Sequence, residues 1–128
     1  MSDVGEVLTG VAMVSLGSGA AVQGSDAYGG AMMTVAGLLG LLSAQEAERA
    51  AAWRAADIAD MSALLPDAGV ATAADLTLTA LDAEWAALSE ALIAHHAAVE
   101  AAGDAAQDRA ILCFYRESAA RREFIWPQ

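Results

Sequence analysis

Between Val7 and Gln45 the chain carries a single charged side chain, Asp26, which separates two uncharged runs, Val7–Ser25 and Ala27–Gln45. Each run is long enough to cross a bilayer, so length alone allows a transmembrane hairpin. Composition argues the other way. The first run is diluted by Thr9, Gly10, Ser15, Gly17, Ser18, Gly19, Gln23 and Gly24, only Tyr28 stands where an aromatic belt belongs, and no basic loop sets an orientation before Arg49. The sequence therefore favours helices covered by protein, with a small membrane-associated hairpin as an alternative.

At 128 residues one helical domain, 1–128, is the expectation. Alanine is by far the commonest residue, lysine is absent, and all 6 basic residues are arginine. Alanine loses no side-chain entropy in a helix, so the chain reads as all-α. A GC-rich bacterial gene would give the same bias. The net charge of −11 offers no basic face to phosphates, which disfavours nucleic acid and leaves solubility, a cation or a basic protein partner as its use. One cysteine excludes an internal disulfide, and no basic side chain precedes Arg49 as a signal peptide would require, so the cytoplasm is the expected compartment.

Stops and caps divide the chain into an antiparallel bundle of about four helices. The first runs from Asp3 to Leu16 and ends in Gly17-Ser18-Gly19. Ser25-Asp26 caps a second that reaches Leu64, where the residue before Pro66 is driven out of the helical region and Gly69 follows. Ser43-Ala44-Gln45-Glu46 has the form of a capping box, so this long helix is either continuous or kinked near Ser43. Thr72-Ala73-Ala74-Asp75 resembles another box and opens a third helix that Gly103 ends. Asp104 with Gln107 caps a fourth, reaching about Arg122.

Helix three has the clearest seam: Leu78, Leu81, Trp85, Leu88, Leu92, His95, Val99 and Ala102 follow 3,4 spacing, with every carboxylate from Asp75 to Glu100 off it. In helix two, Gly30, Met33, Gly37, Gly40 and Ala44 head a stripe of mostly small residues, which allows close approach of a partner helix. The other side of that segment, with Val35, Leu38, Leu39, Leu41 and Leu42, is apolar too. A helix apolar all round must be covered all round, and a second copy of the chain is the most economical cover.

Few residues invite chemistry. His96 and Glu100 lie one turn apart and can share a metal with acids from another helix. A diiron bundle wants Glu-x-x-His, however, and Leu92 and Ile93 stand three before the histidines. The expected role of His95 is a hydrogen-bonded place in the core seam, with His96 at its edge. Asp57 and Asp60 form a D-x-x-D step that resembles half of a magnesium grip, but no second step and no lysine accompany it, so a solvated face is expected. Cys113 in Ile111-Leu112-Cys113-Phe114-Tyr115 reads as a small core hydrophobe. The arginines from Arg116 to Arg122 are placed to neutralise the acidic flank of helix three, within a subunit or across a dimer, and Trp126 is either a docking plug, the favoured role, or an exposed binding anchor.

The resulting expectation is a non-enzymatic, cofactor-free interaction or assembly protein. It self-associates, as a dimer, through segment 29–44, with Gly30, Met33, Gly37, Gly40 and Ala44 as the interface. The alternative from another class is a carboxylate–histidine metal protein using His96, Glu100, Asp57 and Asp60.

Overall fold

The computed structural model describes residues 3–67 and 75–126. They form four helices and no strand: α1 (Val4–Val22), α2 (Ala27–Leu64), α3 (Leu78–Ala102) and α4 (Ala105–Arg121). The chain gathers into two compact units, Met1–Ala50 and Ala51–Gln128, and α2 contributes to both.

In the first unit α1 and α2 form an antiparallel hairpin. The Asp3 carboxylate caps α1 by accepting from the Gly5 N–H at 3.3 Å. The helix does not end at Gly17-Ser18-Gly19 as the sequence suggested. It continues to Val22, and Gly19 serves for contact with α2 rather than for termination. A Cβ on Gly19 would lie 2.9 Å from the Gly30 carbonyl oxygen, and one on Gly30 would lie 2.9 Å from the Gly19 carbonyl oxygen. A Cβ on Gly37 would meet Leu16 Cγ at 2.6 Å, and one on Gly40 would meet Ala12 Cβ at 2.9 Å. The buried positions of α1, Gly5, Ala12 and Gly19, recur every seven residues and face this stripe. Here helix axes approach closely, and each added methyl group would push them apart.

The turn between them is closed by Asp26, whose side chain accepts from the Gly29 N–H at 2.9 Å while its carbonyl accepts from Gly30 N–H, also at 2.9 Å. From there α2 is assigned as one helix to Leu64, with no restart at Ser43, and stops before Pro66 as expected.

The second unit packs the end of α2 with α3 and α4. Arg54 pairs with Asp82, Asp57 with Trp85 and Met61 with Ser89. The constant separation of 28 means that α2 and α3 run in the same direction. Gly103, at φ 70°, reverses the chain and sets α4 antiparallel to α3, and Asp104 caps α4 by accepting from the Ala106 and Gln107 N–H groups. Met61, Leu92, Val99, Ile111 and Phe114 form the core. The helix-three seam holds in its middle, where Leu81, Leu92 and Val99 are buried, while Leu78 and Ala102 at its ends are exposed. The start of α3 differs from expectation. Thr77 is the N-cap, accepting from the Ala80 N–H at 3.4 Å; Asp75 and Leu76 precede the helix, and Thr72–Ala74 lie outside the described residues.

Candidate functional site

Asp57 was expected on a solvated face and is instead fully buried. Its burial is tolerated because three donors converge on the carboxylate: Trp85 Nε1 at 3.1 Å and Ser118 Oγ at 2.6 Å on one oxygen, and Arg121 Nη1 at 2.6 Å on the other. The second guanidinium nitrogen of Arg121 donates to Asp60. Asp60 first, and then Asp57, hold the Arg121 guanidinium above even its usual pKa. The D-x-x-D step is thus gripped by the protein's own arginine.

Two of the arginines at the end of α4 have other partners within the chain. Arg121 reaches α2 rather than the acidic flank of α3, and Arg122 donates to the Ser118 carbonyl and hydroxyl while stacking over Trp53 and Trp85 at 5.3 and 5.8 Å. The flank of α3 is met by Arg54 through Asp82. Beside this network a cavity of about 270 Å³ is walled by Met61, Trp85, Leu92, Phe114 and Tyr115, with Arg122 on its polar side.

A second cluster lies where α3 turns into α4. His96 Nε2 is 2.9 Å from Asp108 Oδ1, its ring packs on Tyr115 at 5.6 Å between centroids, and Glu100 completes a group whose ligand atoms all lie within 4.8 Å of one another. Asp108 was missed in the sequence; its approach depends on the tight Gly103 turn. Burial, and then the Glu100 charge, push the Tyr115 phenol above its ordinary pKa. His95 departs from expectation: its Nε2 is buried and has no hydrogen-bond partner among the described residues. Cys113 is exposed rather than packed, because Ile111 and Phe114 take the buried side of α4. Trp126 is also exposed, edge-to-face on Phe124 at 4.9 Å, and is not docked in the core.

The surface of the hairpin is the largest departure from an ordinary soluble helix pair. Gly30, Gly37 and Ala44 are buried, with Gly30 and Gly37 directed at α1 of the same chain; Gly40 is half-buried against Ala12, and Met33 lies at the edge of the contact. What stays uncovered is apolar: Val7, Val11, Met13 and Val14 on α1, and Met32, Val35, Leu39 and Leu42 on α2, are each about half exposed or more. Between residues 10 and 22 and between 27 and 42, no exposed residue is polar apart from the Tyr28 hydroxyl. Ser15, Ser18 and Thr34 are half-buried, and Thr34 donates to the Gly30 carbonyl at 2.9 Å. The polar residues that are exposed, Thr9, Gln23, Ser25, Asp26 and Ser43, lie toward the ends. At the end away from the turn, Asp3, Glu6, Gln45 and Glu48 are among the residues that line an open depression.

No protein-family model matches the chain, and no curated protein or solved structure resembles it significantly.

Proposed function

We propose that the hairpin of α1 and the first half of α2 is a membrane anchor for the helical unit formed by residues 51–126. The observation that supports this reading most is the segregation just described. Polar side chains that dilute the hydropathy of α1 are half-buried or kept at the ends, and between residues 10 and 22 and between 27 and 42 the exposed residues are apolar or glycine apart from Tyr28. Both helices have the length and hydropathy of a span, and only 11% and 22% of their apolar windows are buried. A soluble core helix of equal hydropathy would be mostly buried. Each apolar side chain left about half exposed forgoes about 1 kcal/mol, so eight of them on one hairpin favour a cover. Small-residue contacts and a hydroxyl bonded to its own helix suit lipid, where every backbone and side-chain polar group needs an internal partner.

Orientation follows from charge. The turn side carries Asp26 and no base, whereas Arg49 and Arg54 follow the exit of α2, which puts that exit on the cytoplasmic side. On this reading the residues that follow are cytoplasmic, while the hairpin itself lies out of water.

The same surface supports a second cover, another copy of the chain through Met32, Val35, Leu39 and Leu42 rather than through the glycine stripe. Extraction separates the two. A membrane hairpin sediments with vesicles after alkaline carbonate washing and is released by detergent. A dimer or larger oligomer in the detergent-free supernatant is the result that replaces this reading with soluble self-association.

A further inference from the structure

We propose that His96, Glu100 and Asp108 bind one divalent first-row transition metal ion of the zinc type. His96 and Glu100 stand one turn apart on α3, and Asp108 sits in the first turn of α4, held opposite them by the left-handed turn at Gly103. Each offers one donor atom, the three lie within 4.8 Å of one another, and His96 Nε2 is already 2.9 Å from Asp108 Oδ1. Donors at ~2.0–2.2 Å from a tetrahedral ion lie about 3.3 Å apart, so rotation of the exposed Glu100 side chain closes the site. The imidazole is only 14% exposed and is backed by Tyr115, which fixes the direction of its ring.

Charge gives an independent reason. Two carboxylate pairs among the described residues are treated differently. At Asp57 and Asp60 the protein supplies Arg121 to neutralise them. At Glu100 and Asp108 no arginine pair is seen among the described residues, and only an imidazole stands between. A divalent ion cancels both charges at once. Mixed nitrogen and carboxylate donors favour zinc-like ions over calcium or magnesium, which prefer oxygen alone, and three protein ligands leave a coordination position for water.

The test uses full-length, untagged protein in detergent micelles, stripped with a chelator and titrated with Zn²⁺, with Co²⁺ as the spectroscopic probe. The expected result is one saturable ion per chain, cobalt absorption bands that zinc abolishes, and affinity lowered ~tenfold or more in both His96→Ala and Glu100→Gln. Because Glu100 is exposed, Glu100→Gln keeps the wild-type melting curve without metal, so its loss of affinity reports ligation and not unfolding. Absence of equimolar binding overturns the site. So does a Glu100→Gln variant that binds zinc as tightly as wild type, whatever His96→Ala does.

Discussion

The two units of this chain are both built from helices and solve opposite problems. In the hairpin the interior is mostly glycine and alanine, with Gly19 against Gly30, Ala12 against Gly40 and Leu41 as a buried large side chain, while eight large apolar side chains stay about half exposed or more. In the second unit Met61, Leu92, Ile111 and Phe114 point in, together with a fully buried aspartate. Small-inside packing gains little from water exclusion, since little apolar area is removed. It gains from close backbone approach, which counts most where the surroundings are as apolar as the side chains. Large-inside packing is the arrangement that water drives.

The comparison breaks first at Asp57. Asp57→Ala strands the Trp85 and Ser118 donors and half of the Arg121 guanidinium in a buried place, and the second unit should lose about 3 kcal/mol or more in chemical denaturation. Asp60→Ala, at the exposed end of the same ion pair, should cost about 1 kcal/mol or less. Equal effects would mean that burial does not set the value of this network.

In the hairpin the corresponding test is steric. Gly37→Leu drives a side chain into Leu16 and the Ala12 carbonyl and should cost about 1–3 kcal/mol or more, even though leucine is the better helix former. Gly17→Ala is its control. A Cβ there meets nothing within 4 Å, so this change should stabilise by about 0.5–1 kcal/mol. If both substitutions moved thermal stability in the same direction, the glycines would not be distinguished by contact.

These outcomes bear on what was legible in the residues. The 3,4 spacing of Leu81, Trp85, Leu88, Leu92 and Val99 identified the buried face of α3, and Pro66, Gly103 and Asp104 marked real boundaries, because seams and stops are local. Gly17-Ser18-Gly19 misled for a physical reason: a glycine that ends a helix and one that lets two helices touch look alike until the partner is known. Asp57 was misplaced because its donors lie 28, 61 and 64 residues away. Dilution of α1 by serine and glycine counted against lipid, but the hairpin half-buries Ser15 and Ser18 and buries Gly19, which the residues alone do not show. At the candidate metal site His96 and Glu100 were visible as a one-turn pair, whereas Asp108 needed the turn.

Smaller effects sharpen the picture of the second unit. His95→Leu removes a buried nitrogen that has no partner among the described residues and should raise stability by about 1 kcal/mol, read as a higher Tm. Tyr115 provides the pH dependence. Its phenol holds its proton more tightly in the folded state, so the stabilisation is complete below the unfolded tyrosine value of about 10 and is lost as pH rises through the higher folded value. Tyr115→Phe should abolish that component of the alkaline destabilisation while leaving stability at neutral pH nearly unchanged.

The central claim is that lipid covers the outward face of the hairpin, and spin labels placed one at a time in a Cys113→Ser background read it directly. Labels at Val14 and Leu39, compared with one at the exposed Arg109 of α4, should in reconstituted vesicles collide freely with oxygen and hardly at all with a water-soluble nickel complex. The label at Arg109 should show the reverse. Nickel accessibility at Val14 and Leu39 equal to that at Arg109 would place the hairpin in water and contradict the account.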